Sequence, residues 1–552
     1  ERNFNEADIQ LSLTNTEAAL PALSGWTQSE GTGNQDNTTW TATLTYDTDG
    51  DYTFGIGYTD LAGNACSSVN YAAVTVAGTE FTIDKTLPLI DVAYDNNAVL
   101  NGNYYKADRT ATIVITEHNF NADRVTVELT AADDAADAAV PSVSGWSTDG
   151  DRHTATILYG SDALYSFDIG YTDLAGNAAA DFEKQSFYVD KTMPLLTISG
   201  VEDNSANSGD VMPVITYSDT NYDSENVVLT LSGANRKEVA PDGNYADIHN
   251  GRSFTFANFA REKDIDDIYT LTATLTDKAG NTSTQTIHFS VNRFGSTYAL
   301  SDAAGTLNGS FAREPVDIVI METNTDACHN LRITLFKNDK TLTLTENVDY
   351  TVSVEGGNGQ WYRYTYTILA KNFADDGVYR LAVHSEDAAG NVAENTLDTK
   401  NTEVSFGIDK TSPNIVVTNL ESSRTYPLTN LPVVMLVTDN LKLASVTVYL
   451  DGAEYRTWKE TDLQQLAAAR EDFTFDINGD STKPHTVKIV STDAAGNETV
   501  TEINNFYVTT NLWVRYITNK PLFFGSLAGL AAVIGLILLG VTRKKKKQAK
   551  AS

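Results

Sequence analysis

At 552 residues the chain is too long for a single hydrophobic core and must divide into several domains. It carries 39 Lys and Arg against 73 Asp and Glu, and six of the basic residues (Arg543, Lys544, Lys545, Lys546, Lys547, Lys550) close the chain, so everything before them has a net charge of −40. So acidic an exterior argues against nucleic acid and anionic lipid as partners, and is either a solvated surface or one that attracts divalent cations and cationic partners.

The opening residues, ERNFNEADIQLSL, match Glu117–Leu129 (EHNFNADRVTVEL). In that second copy the segment follows a connector and early strands, so the first repeat is expected to lack its opening strands and the chain to be a fragment. The absence of a signal peptide is then uninformative. One stretch is written five times: Tyr52–Asn64 (YTFGIGYTDLAGN), Tyr165–Asn177 (YSFDIGYTDLAGN), Tyr269–Asn281 (YTLTATLTDKAGN), Tyr379–Asn391 (YRLAVHSEDAAGN) and His485–Asn497 (HTVKIVSTDAAGN). Its aspartates, at 60, 173, 277, 387 and 493, recur at the length of a small β-domain.

Within each copy apolar residues alternate, as in Tyr165, Phe167, Ile169 and Tyr171, which predicts a half-buried strand. Asp-x-Ala-Gly-Asn then predicts a tight turn, with the carboxylate accepting backbone N–H groups and glycine supplying positive φ. Tyr52, Tyr165, Tyr269 and Tyr379 stand eight residues before that aspartate, the place of the tyrosine corner in an immunoglobulin-like sandwich. The stretch therefore reads as strand F, the F–G turn and the start of strand G. The expected divisions are repeats at 1–83, 84–190, 191–292, 293–408 and 409–510, a juxtamembrane segment at 511–521, a membrane span at 522–541 and a basic tail at 542–552.

The first two repeats share Ser24-Gly-Trp26 and Ser144-Gly-Trp146, tryptophans open to a packing role or to sugar stacking. Connectors read Ile83-Asp-Lys-Thr-Leu-Pro88, Val189-Asp-Lys-Thr-Met-Pro194 and Ile408-Asp-Lys-Thr-Ser-Pro413. Proline fixes its own φ and keeps the preceding residue extended, which predicts short, straight junctions. The third connector departs from this as Val291-Asn-Arg-Phe-Gly-Ser296, and is expected to be a hinge. Cys66 and Cys328 fall in different repeats, so no disulfide staples a domain and free thiols are expected.

Leu522–Val541 is a run of twenty uncharged residues, about 30 Å as a helix and long enough to cross a bilayer. The basic run after it predicts a cytoplasmic tail and extracellular repeats, a single-pass protein of the cell membrane. Gly525 and Gly529 form one weak GxxxG dimerisation signal.

The D-x-A-G-N turns and the [IV]-D-K-T-x-P connectors resemble the bacterial immunoglobulin-like repeats of large cell-surface proteins and adhesins, from Glu1 to about Thr510. The span and basic tail resemble a Gram-positive wall-sorting end, although no LPxTG-type motif precedes Leu522. The resemblance implies an all-β fold, tandem immunoglobulin-like β-sandwich domains followed by one C-terminal transmembrane helix. It implies no particular ligand.

In such domains the F–G and B–C turns lie where the chain enters. Each junction would then gather oxygen ligands: Asp84, Glu117, Asn119, Asp173 and Asn177 at the first, Asp190, Asp219, Asn221, Asp277 and Asn281 at the second, and Asp409, Asp439, Asp493 and Asn497 at the fourth. Hard oxygen donors suit calcium, which the resemblance also supports, since some adhesin repeats bind it at their junctions. The competing reading is a hydrogen-bonded turn with Lys85, Lys191 or Lys410 paired to the same carboxylates. An isopeptide bond of Lys85 to Asn177 is disfavoured because one is in a connector and the other ends a turn.

The histidines (118, 153, 249, 288, 329, 384, 485) recur at no equivalent position, and no HExxH, GxSxG or phosphate-loop motif is present, so the expectation is not an enzyme, with no cofactor beyond calcium. Three functions stay open: a surface stalk, about 150 Å long at some 35–40 Å per domain, that presents an N-terminal head and serves adhesion; repeats that bind a glycan or a host or matrix protein through Trp40, Trp146, Trp361, Tyr362 and Tyr364; and the spacer of an enzyme acting on extracellular polymer.

Overall fold

The computed structural model describes residues 1–15, 19–29, 38–66, 80–132, 138–338, 340–396, 402–479 and 482–549. The alternation read in the sequence is built as paired sheets. In the second sandwich, Leu89–Tyr94, Arg109–Thr116, Arg152–Tyr159 and Ser147–Asp149 form one sheet, and Tyr104–Tyr105, Gln185–Val189, Ala163–Tyr171 and Val125–Ala132 form the other. The short strand lies parallel to the last one, with Tyr104 opposite Tyr188. The same parallel pairing returns as Ser205–Phe289, Phe311–Gly407 and Thr425–Tyr507, so four successive sandwiches share one immunoglobulin-like topology. Each of these four encloses its own core cluster.

Tyr165, Phe167, Ile169 and Tyr171 all point into the second core, each under 5% exposed. The phenol groups of Tyr52, Tyr165, Tyr269 and Tyr379 donate to the carbonyls of Thr48, Ser161, Ile265 and Asp375, four residues upstream in every case, at 2.6–2.8 Å. Each ring thus seals the core while its hydroxyl ties down the loop before the strand. In the fifth sandwich His485 takes this place and bonds Asp451 instead, Nδ1 to Oδ2 at 2.8 Å.

The last strand does not always begin directly after the turn. In the third sandwich it runs from Thr282, and Thr272, Thr274 and Thr276 pair their hydroxyls with Thr286, Thr284 and Thr282 across the strands. In the second, the alanine run after Asn177 gives only a Thr172–Ala178 bridge, and the strand starts at Gln185. The first sandwich has a three-stranded sheet, Ile9–Asn15, Gly50–Tyr58 and Glu80–Ile83, and a two-stranded one, Thr27–Ser29 with Thr39–Thr41. Between them an open apolar trough is lined by Leu11, Leu44, Phe54, Ile56 and Phe81.

Two helices follow the fifth sandwich. Leu512–Thr518 buries Val514 and accepts a hydrogen bond from Thr425 of the fifth sandwich through Thr518 at 2.8 Å, and Lys520–Gln548 extends past both ends of the apolar run at 522–541. The second is the one helix among the described residues that is long and apolar enough to cross a membrane.

Candidate cation-binding junctions

The D-x-A-G-N turn is closed by its own first and last residues. The Asp173 carboxylate accepts from the backbone N–H of Asn177 at 2.8 Å and from its side-chain amide at 2.8 Å, while Gly176 adopts a φ of 96°. This leaves the second amide proton of Asn177 to reach the preceding connector, where the Asp84 carbonyl accepts it at 3.1 Å. Asn281 to the Asp190 carbonyl (3.0 Å), Asn391 to that of Asn292 (2.8 Å) and Asn497 to that of Asp409 (2.8 Å) repeat the bond at the other three junctions.

With the connector held there, its own side chain meets the B–C and F–G turns. Asp84, Glu117 and Asp173 place carboxylate oxygens within 4.8 Å of one another; so do Asp190, Asp219 and Asp277, and Asp409, Asp439 and Asp493. The sequence-predicted carboxylates of the first, second and fourth junctions are thus brought together in threes, with Asn177, Asn281 and Asn497 bridging at their edge. Asn119 contributes its backbone N–H to Glu117, and Asn221 donates its amide to Asp190 Oδ2 at 2.6 Å.

Three like charges in a desolvated place are costly, which pushes the carboxyl groups toward their protonated forms. Burial, then repulsion from Asp190 and Asp277, pushes Asp219 up to about 6. Burial raises Asp190 and Glu117, and raises Asp409 with the charges of Asp439 and Asp493 adding to it. Asp409 is 0% exposed, yet its Oδ2 has no hydrogen-bond partner, nor have Asp84 Oδ2 and Asp439 Oδ1. Buried carboxylate oxygens without donors are what a hard divalent cation satisfies, so the residues present fit calcium.

The connector lysines do not supply that charge. Lys85 bonds the Asp47 carbonyl, Lys191 bonds Asp108 and the Gly160 carbonyl at 2.7 Å, and Lys410 bonds the Ala374 carbonyl at 2.6 Å, all on the preceding sandwich. Lys85 and Asn177 accordingly face different partners. The connector threonines also point back, with Thr86, Thr192 and Thr411 bonding Asp49, Asp162 and Asp376 at 2.6–2.8 Å. At the third junction Asp266 accepts the N–H groups of Arg293 and Phe294. These four acids escaped the sequence reading, although each lies three residues before a corner tyrosine.

The expected hinge is braced by direct contacts between its two sandwiches. Trp361 donates its indole N–H to Asp267 of the preceding sandwich at 2.8 Å, Arg293 reaches the Gly209 and Ala260 carbonyls, and Ser208 bonds the Ala389 carbonyl. The lost D-K-T-x-P motif is replaced by other contacts rather than by freedom. The remaining aromatic candidates are also packed: Trp40 stacks on Phe4 at 4.6 Å, Trp146 lies 5.1 Å from Phe120 against the second core, and Tyr362 and Tyr364 stack in a row ending at the fully buried Tyr366. No disulfide joins Cys66 and Cys328.

Residues 244–293 match the family model of a bacterial Ig-like domain. No curated protein matches the chain in sequence. Among solved structures it is similar to a tetra-tandem repeat from the extending region of a large adhesion protein, 15% identical over 77% of this chain and 100% of that one, with a TM-score of 0.32. It is similar to FdeC, an Escherichia coli adhesin (14% identity, 58% of this chain and 96% of that one, TM-score 0.20), and to the N-terminal eight Ig domains of Down Syndrome Cell Adhesion Molecule (12%, 91% and 58%, TM-score 0.26). The chain is a tandem of immunoglobulin-like sandwiches, the third of which contains the segment that matches this family model, followed by an apolar helix.

Proposed function

We propose that the chain is the stalk of a bacterial surface protein that serves adhesion, anchored by Lys520–Gln548 with its basic tail in the cytoplasm, and stiffened by divalent cations, calcium foremost, at its first, second and fourth junctions. The observation that carries this reading is the repeated placement of three carboxylates between a connector and two turns of the next sandwich, with the connector backbone already fixed by an asparagine. A cation held there by the connector and the next sandwich would stiffen the joint and turn a string of modules into a rod. The packed state of Trp40, Trp146, Trp361 and Tyr362 favours the stalk over direct glycan or protein binding through those rings, because a binding face needs them exposed together. No catalytic role is assigned to the repeats.

Calorimetry of the full chain in detergent, with calcium and with chelator, tests the reading. Calcium at about 100 times its Kd adds about 2.7 kcal/mol to any state that binds it, so transitions of the second, third and fifth sandwiches should rise. Superimposable scans would exclude the cation.

A further inference from the structure

The third junction has the plan of the others with one exchange. Asn292 occupies the connector position of Asp84, Asp190 and Asp409, since its carbonyl accepts from Asn391 as theirs do from Asn177, Asn281 and Asn497. Its side chain is 0% exposed and points into the same space. There its amide nitrogen lies 2.8 Å from Asn324 Oδ1, 2.9 Å from Asp326 Oδ2 and 2.9 Å from Asp387 Oδ2. The amide is oriented by Gly295, whose N–H donates to Asn292 Oδ1 at 3.1 Å, so only the nitrogen can face the acids.

Three oxygens from two turns therefore converge on a donor belonging to the connector. At the fourth junction the connector offers another acceptor instead, Asp409 Oδ2, fully buried and without a partner. We infer that Asn292 decides the cation requirement of its joint: its amide stands where the other junctions take a cation, so the third and fourth sandwiches stay coupled when calcium is withdrawn while the other three joints loosen. This rests on the cation reading above for those three joints. The unusual connector makes sense in these terms, because a joint with a built-in donor gives up the third carboxylate and with it the need for a metal.

Two variants of the full chain in detergent test this, with calcium alone as the probe. Isothermal titration should give three ions for the natural chain, four for Asn292→Asp and two for Asp409→Asn, which copies the third junction's exchange into the fourth. Hydrogen exchange should show connectors 84–88, 190–194 and 409–413 opening at least about tenfold faster in chelator, with 292–296 unchanged until Asn292→Asp makes it calcium-dependent. A fourth ion on the natural chain, an unchanged count in both variants, or chelator-sensitive exchange at 292–296 in the natural chain would overturn the inference. Should the natural chain bind no calcium, the cation reading fails on its own. The role of Asn292 is then decided in chelator, where Asn292→Asp must speed exchange at 292–296 about tenfold, and equal rates would refute it.

Discussion

Replacing Asn281 with alanine isolates the bond that positions a connector before any metal is involved. The side chain is 2% exposed and its amide serves two acceptors at once, the Asp190 carbonyl at 3.0 Å and Asp277 Oδ2 at 2.9 Å. Truncation leaves both without this donor in a buried place. Each buried group deprived of its partner costs about 1–3 kcal/mol, and the carboxylate lies toward the upper end. Backbone N–H donation from residue 281 to Asp277 Oδ1 survives, which holds the turn itself and limits the loss to about 3 kcal/mol. That corresponds to about a hundredfold faster exchange of amides in 190–194 and in the third sandwich, read by hydrogen exchange with mass spectrometry in chelator. The fifth sandwich serves as an internal control and should not change. Exchange at 190–194 accelerated less than about threefold would refute the reasoning, because the asparagine would then not be what fixes the connector.

Tyr165→Phe removes one buried hydroxyl bond to Ser161 and should destabilise the second sandwich alone by about 1 kcal/mol, seen as a lower denaturation midpoint for that unit. Trp361→Ala should loosen the third junction, with exchange at 292–296 rising about tenfold, as Asp267 loses its indole donor; unchanged exchange would mean the brace is idle. The second junction should respond to pH in opposite senses with and without metal. Asp219, raised to about 6, and Asp190, also raised, contribute stability that is complete below their unfolded value near 4 and is lost as pH rises through about 6. In chelator, exchange at 190–194 should therefore slow between pH 7 and pH 5 after correction for intrinsic rates. In calcium, protons compete with the ion and the same step should speed it.

Much of this was legible in the sequence because it rests on local chemistry. The alternation around Tyr165 predicts a strand whichever sheet it joins, and Asp-x-Ala-Gly-Asn encodes a turn that closes on itself. Repetition then placed Asp84, Glu117 and Asp173 in one junction, since the order of strands in a sandwich brings those turns to the entering chain. Harder to read was anything set by the neighbouring sandwich. The competing reading pairs Lys191 with the junction acids, yet it turns back to Asp108 and to the Gly160 carbonyl in the loop before Tyr165. The connector Val291–Ser296 reads as a departure from D-K-T-x-P and hence as a hinge. A side-chain amide that replaces a carboxylate and its counter-ion together leaves no trace in spacing. Trp361 is similar: nothing local tells that its hairpin, Tyr350–Gly357 with Gln360–Ile368, reaches Asp267.

The central claim, a cation-stiffened rod on a membrane anchor, is tested most directly by measuring end-to-end lengths of the full chain in lipid nanodiscs by electron microscopy, in calcium and in chelator. The account predicts a narrow distribution in calcium, near the summed length of the sandwiches. In chelator it predicts shorter, broader lengths with bends at the first, second and fourth junctions and a straight third. Identical distributions in the two conditions, or chains that stay in solution when nanodiscs are removed without detergent, would contradict it.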